Sequence, residues 1–133
     1  MTKVIRRTRK GVLDSFPLNG RGAEIGVFRG KFSSNILKER KPEKLYLIDP
    51  WINFDDPLYE NTWYSTGAGN DMDEIYAHVC KKFAPRIEKG QVEVLRGKST
   101  EVADQIPDGS LDFVYIDGDH SYEGVKADLE IAF

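Results

Sequence analysis

Apolar positions along the chain follow two alternating periods, which predicts strands separated by helices. A continuous apolar run, typical of a strand buried on both faces, predicts a strand at residues 45–48, and segments rich in apolar residues predict further strands at residues 23–27, 92–95 and 111–116. Apolar residues three or four positions apart predict helices. These helices cover a short segment ending before Pro17, residues 32–40, about 71–84, 101–105 and the segment from Tyr122 to Phe133. Strands alternating with helices favour a single α/β domain, residues 1–133, with a doubly wound parallel sheet.

One long segment, residues 51–70, carries aromatic side chains without either period. It is predicted to be a loop, either a binding loop or a set of aromatics that seals the edge of the core. Asn70 is predicted to cap the helix that follows.

Beyond residues 111–116 no fifth strand is present, so that edge is predicted to be bare, and an unpaired edge favours a homo-oligomer.

Composition limits the classes of partner and compartment. The 133 residues are 40% hydrophobic and 31% charged, and no apolar run approaches the roughly 20 residues of a membrane span. The first ten residues lack the apolar core of a secretory signal, so a cytoplasmic protein is expected. A net charge of −3 argues against nucleic acid as a partner, and the basic residues near the amino end are predicted to form a solvated, flexible terminus.

The ends of three predicted strands carry the candidate chemistry. The first strand enters a turn with glycine at Gly26 and Gly30, and the second ends in Asp49. The fourth ends in the Asp117–His120 turn. Carboxyl ends of parallel strands share one edge of a sheet, where a glycine turn lets the backbone approach a nucleotide-type ligand. Asp49, 23 residues beyond Gly26, suits two ribose hydroxyls, although a solvated acid before a proline is the alternative.

The glycine turn favours a particular kind of nucleoside. The G-x-G-x-x-G spacing that brings backbone N–H groups to a pyrophosphate is missing. Glu24, Val27 and Phe28 instead put an acid and bulky side chains around Gly26. A cationic nucleoside without phosphate therefore fits better than a dinucleotide.

The turn after the fourth strand has residue types suited to catalysis. His120 is a candidate general base for an acceptor hydroxyl, with a structural turn histidine as the alternative. Asp117 can bind a cofactor amino group or a metal, although Asp-Gly is also ordinary turn chemistry. Asp117 and Asp119 together are candidate ligands for Mg²⁺ if the reaction depends on a metal, but two acids make an incomplete site.

Three motifs give the chain a resemblance to a known family over about residues 20–133. They are Glu24-Ile25-Gly26-Val27-Phe28-Arg29-Gly30, Leu47-Ile48-Asp49-Pro50-Trp51, and the stretch from Tyr115 to Glu123 that contains Asp117-Gly118-Asp119-His120. The chain resembles the class I S-adenosylmethionine (SAM)-dependent methyltransferases, and among them the small-molecule O-methyltransferases similar to macrocin O-methyltransferase. This resemblance implies a Rossmann-like fold. It also implies that the first motif holds the aminoacyl and ribose parts of SAM, that Asp49 binds the ribose hydroxyls, and that the loop Gly97–Ser99 faces the adenine.

The function expected from these observations is SAM-dependent O-methylation of a small hydroxylated metabolite or a sugar. Members of the family continue beyond the fourth strand, so the chain is expected to be truncated at its carboxyl end. A cofactor-binding fragment without turnover is therefore one alternative. A nicotinamide-dependent oxidoreductase is another, disfavoured by the missing pyrophosphate spacing.

Overall fold

The structure is a computed structural model that describes residues 3–5, 9–53 and 69–116. Within these ranges, strands and helices follow one another in the predicted order, with β1 and α4 as additional elements that the hydrophobic pattern does not predict. The strands are β1 (Lys3–Ile5), β2 (Arg21–Ile25), β3 (Lys44–Asp49), β4 (Val92–Arg96) and β5 (Phe113–Ile116). The helices are α1 (Arg9–Ser15), α2 (Lys31–Arg40), α3 (Met72–Lys82), α4 (Ala84–Glu88) and α5 (Ser99–Val102), followed by a 3₁₀ turn at Ala103–Gln105.

The five strands form one parallel sheet in the order β1-β5-β2-β3-β4. From β2 the chain moves outward through β3 to β4 and then returns to the other side of β2 as β5. The strand order therefore reverses between β2 and β5, where Ile25 lies opposite both Ile48 and Ile116. In open α/β sheets, ligands bind outside the carboxyl ends of the strands at such a switch point.

Helices pack on both faces of the sheet, which makes the domain a Rossmann-like α/β fold. Alternate residues of β3 point to opposite sides, so Leu45 and Leu47 belong to one core and Tyr46 and Ile48 to the other. The first core is filled by α1, α2 and α3, and the second receives Val102 of α5. β3 is buried along almost its whole length, as its continuous apolar run predicts.

The predicted bare edge beside the fourth predicted strand is wrong. β1 pairs in parallel with β5, with Lys3 opposite Phe113 and Ile5 opposite Tyr115. β5 therefore lies between β1 and β2 and has hydrogen-bonded neighbours on both sides. Residues 3–5 are thus a strand rather than part of a flexible terminus. Self-association of the chain stays a prediction, but it loses this argument.

Several element boundaries differ from the prediction for local reasons. β2 starts at Arg21 and ends at Ile25, because Gly26 turns the backbone to a positive φ of 94°. The cap of α3 is Asp71 rather than Asn70, since the Asp71 side chain accepts a hydrogen bond from the Glu74 N–H at 3.2 Å. Pro85 lies at the start of α4, where the missing N–H costs nothing.

Among the described residues, no helix is long and apolar enough to cross a membrane.

Candidate functional site

The turn after β2 is a series of alternating left-handed residues. The φ angles are 94° at Gly26, 57° at Phe28 and 79° at Gly30. Glycine adopts this region freely, whereas a bulky residue there costs about 1–3 kcal/mol. Gly30 is also needed for space, because a Cβ there would lie 2.9 Å from the ring of Phe83. The turn is therefore held in a conformation that Phe28 disfavours.

Asp49 closes this turn from the carboxyl end of β3. The side chain is buried, and Oδ2 accepts the N–H groups of Val27 and Phe28, each at 2.9 Å. Oδ1 accepts the N–H of Trp51 at 2.8 Å, while the Gly26 N–H donates to the Ile48 carbonyl at 2.8 Å. The predicted meeting of the glycine turn and Asp49 at one edge of the sheet is confirmed. The contact between them is direct, through the carboxylate.

Trp51 also binds this turn. Its indole Nε1 donates to the Phe28 carbonyl at 2.8 Å, and its side chain is fully buried. The backbone of Trp51 is itself left-handed, with φ 43°. The Phe28 residue is thus held at its N–H by Asp49 and at its carbonyl by Trp51.

Arg96, at the end of β4, fixes the Trp51 segment in turn. Its Nη2 donates to the Trp51 carbonyl at 2.9 Å, and its guanidinium forms an ion pair with Asp73 of α3. The guanidinium also lies 4.6 Å from the centre of the Tyr76 ring, which packs against Trp51. A hydrogen bond to Cys80 and burial raise the pKa of Tyr76, partly opposed by Arg96, so the phenol stays neutral at physiological pH.

Glu24 is buried one residue before the end of β2, on the face covered by α2. Its Oε1 accepts the hydroxyl of Ser33 at 2.5 Å, and Ser33 is also fully buried. A buried carboxylate needs such a partner, since an unsatisfied one is costly. Glu24 therefore ties the first turn of α2 to the strand that leads into the glycine turn.

The loop after β4 also reaches this edge of the sheet. The Gly97 N–H donates to the backbone carbonyl of Asp49 at 3.0 Å. A side chain at Gly97 would collide with Val102, whose Cγ1 lies 2.7 Å from the position of a Cβ. Ser99, predicted within the adenine-facing loop, is buried and begins α5. The structure thus brings Asp49, the glycine turn and this loop together.

The predicted catalytic turn lies outside the described residues. Asp117, Asp119 and His120 follow Ile116, the last residue of β5, which lies opposite Ile25 of β2. The prediction that the strand before this turn neighbours the cofactor strand is therefore confirmed. In the part of the chain that the structure describes, no group of three or more histidine, cysteine or acidic residues could hold a metal ion.

Three residues of this site are not singled out by the sequence, namely Ser33, Trp51 as a turn contact, and Arg96. Trp51 falls in the predicted aromatic loop, although its position directly after Asp49-Pro50 is a usable signal. The sequence contains no comparable signal for Ser33 or Arg96, because each contacts a residue that is distant along the chain. Ser33 lies 9 residues from Glu24, and Arg96 lies 45 residues from Trp51.

Comparison with known proteins agrees with the fold. A family model described as "Methyltransferase domain" matches residues 23–133, which is most of the chain and begins in β2. A comparison with curated proteins returned no match. With its Rossmann-like sheet and its glycine turn at the switch point, the chain belongs to this family of methyltransferase domains.

Proposed function

We propose that this domain binds SAM at the carboxyl edge of β2 and β3 and transfers its methyl group to a hydroxyl of a small molecule. The observation that carries the proposal is the direct contact of the Asp49 carboxylate with the N–H groups of Val27 and Phe28. Membership of the methyltransferase family supports the same reading, since such domains generally use SAM.

The residues at this edge fit SAM. Asp49 provides a buried acceptor group in a fixed orientation, and acceptors of this kind suit the hydroxyls of a ribose. Gly26 adds no side chain to the turn that a ligand would approach, whereas the absent side chain of Gly30 makes room for Phe83 of the core. Val27 and Phe28 form the wall of the site between these glycines, and Ser99 lies at its adenine side in the proposal. SAM supplies an electrophilic methyl group on a sulfonium sulfur.

The same contact disfavours a nicotinamide dinucleotide. A dinucleotide fold offers the N–H groups of its glycine turn to a pyrophosphate. Here two of those N–H groups donate to Asp49 instead. A phosphate placed at this turn would also face the Asp49 carboxylate, and like charges repel. A cofactor without a pyrophosphate avoids both problems.

His120 is the proposed general base for the acceptor hydroxyl. A neutral alcohol is a poor nucleophile, and removal of its proton in the transition state speeds its attack on a methyl carbon. Asp117, next to the end of β5, is proposed to bind the amino group of SAM, with Asp119 as a further metal ligand only if the reaction uses Mg²⁺. The acceptor is proposed to be a small hydroxylated metabolite or a sugar.

The binding half of this proposal is tested with S-adenosylhomocysteine (SAH), the product form of the cofactor. SAH at about 100 times its dissociation constant should raise the free energy of unfolding by about 2.7 kcal/mol, because only the folded chain binds it. Thermal unfolding measures the gain in stability, and titration calorimetry measures the binding of SAH. NAD serves as the comparison ligand in both. Binding of NAD without binding of SAH would overturn the proposal in favour of an oxidoreductase.

The catalytic half is tested by replacing His120. In a form of the protein that turns over, His120→Ala should lower kcat by about 10²-fold, at the low end for loss of a general base because water takes over part of the proton transfer. The dissociation constant of SAH should not change. His78 on α3 is the matched control, and His78→Ala should leave kcat unaltered. Equal kcat for His120→Ala and the parent protein would reduce His120 to a structural turn residue.

A further inference from the structure

Phe28 occupies a position whose backbone conformation is the one that glycine prefers. Positions 26, 28 and 30 all have positive φ, at 94°, 57° and 79°, and the middle one alone is not glycine. An aromatic residue adopts this region only when its surroundings enforce it, and residues of this kind concentrate at ligand sites. The structure must therefore contain the contacts that enforce it.

The indole N–H of Trp51 is one of those contacts, and it is placed to control the orientation of a peptide group. It donates to the Phe28 carbonyl at 2.8 Å, so rotation of the peptide unit after Phe28 would break the bond. The Asp49 carboxylate fixes the peptide unit before Phe28 through the N–H at 2.9 Å. The two bonds together restrain the peptide groups on both sides of this residue.

Trp51 can enforce a strained neighbour because it is itself held firmly. Its side chain is fully buried, with the Tyr76 ring at 5.2 Å. Its backbone N–H is bound by Asp49 and its carbonyl by Arg96. The position of the indole is thus set by β3, β4 and α3 rather than by the turn that it contacts.

We propose that Trp51 is a positioning residue of the cofactor site, whose indole N–H holds Phe28 left-handed and so preserves the turn that binds SAM. This inference rests on the proposed function and adds a residue to it. Trp51 acts through the turn and does not need to touch the cofactor.

The substitution Trp51→Phe tests the proposal, since it keeps an aromatic ring against Tyr76 and removes the N–H donor. We expect the dissociation constant of SAH to rise about tenfold, because Phe28 then relaxes to a negative φ. Titration calorimetry below the unfolding transition measures the change on folded protein.

The second variant, Phe28→Gly, separates positioning from packing. Glycine adopts a positive φ without enforcement, so Trp51→Phe in the Phe28→Gly background should weaken SAH binding less than about threefold. Trp51→Phe removes the same atoms in both backgrounds. An equal loss of affinity in both would mean that Trp51 acts through packing alone, and would overturn the proposal.

A measurement without ligand completes the test. Amide hydrogen exchange at Phe28 should be faster in Trp51→Phe than in the parent protein, while exchange at Ile36 in α2 should change little. Unchanged exchange at Phe28 would contradict the inference about Trp51 whether or not SAH binds. A parent protein that binds no SAH would instead contradict the proposed function.

Discussion

Gly22→Ala is expected to destabilise the domain by about 3 kcal/mol or more, since a Cβ at this position has no space. Built on the backbone of β2, that Cβ would lie 2.1–2.3 Å from three ring atoms of Phe113 on β5. The ring cannot retreat easily, because it is fully buried and stacks on Phe16, the residue after α1, at 4.2 Å between centroids. Urea unfolding measures the loss of stability.

A double-mutant cycle shows whether this collision is the cause. Phe113→Leu removes the ring atoms nearest to the added methyl group, although it also loses the stacking on Phe16. In the Phe113→Leu background, Gly22→Ala should therefore cost clearly less than in the parent protein. The same cost in both backgrounds would show that the destabilisation comes from somewhere other than the ring.

Asp49→Ala is expected to lower the free energy of unfolding by about 3–9 kcal/mol and to abolish measurable SAH binding. Three backbone N–H groups, from Val27, Phe28 and Trp51, lose their acceptor, and each unsatisfied buried donor costs about 1–3 kcal/mol. Urea unfolding and calorimetry with SAH measure the two effects separately.

Asp112→Ala is the matched control for that experiment. The Asp112 side chain also accepts a backbone N–H, from Arg21 at 2.8 Å, but this bond is exposed and lies at the amino end of β2. Its removal should cost no more than about 1 kcal/mol and leave SAH affinity unchanged. If Asp49→Ala does not fold, Asp49→Asn takes its place, since it keeps the size of the side chain. SAH affinity equal to that of the parent in either Asp49 variant would remove Asp49 from the cofactor site.

The order of strands and helices is readable from sequence wherever burial imposes a strong pattern. β3 and β4 are predicted almost residue for residue, because each is a short segment rich in apolar residues that lies between turn residues, and the run in β3 is continuous and buried. β1 is missed because three residues, Lys3–Ile5, carry too little pattern in a basic stretch. Their strand conformation depends on pairing with β5, about 110 residues away along the chain. The strand propensities of individual residues carry no information about such long-range pairing.

The candidate site is predictable as a location rather than as a set of contacts. Strand order alone brings Gly26 and Asp49 to one edge, so the sequence indicates where a ligand would lie. It does not indicate that Asp49 binds the turn itself, since the turn that Asp49 binds contains a left-handed Phe28, which residue preferences argue against. Strained positions of this kind are where local rules fail and functional sites concentrate.

The insertion of β5 between β1 and β2 also bears on the order in which the chain can fold. β2 acquires its β3 partner after about twenty residues, but its other described neighbour is made 88 residues after Ile25. At about 5–20 residues per second, synthesis of that interval takes about 4–18 s. During this time β1 has no partner among the described strands, and one flank of β2 is open to other nascent chains. The sheet is therefore completed late. The carboxyl end of β2, where the glycine turn begins, gains its β5 neighbour only when β5 has been synthesised.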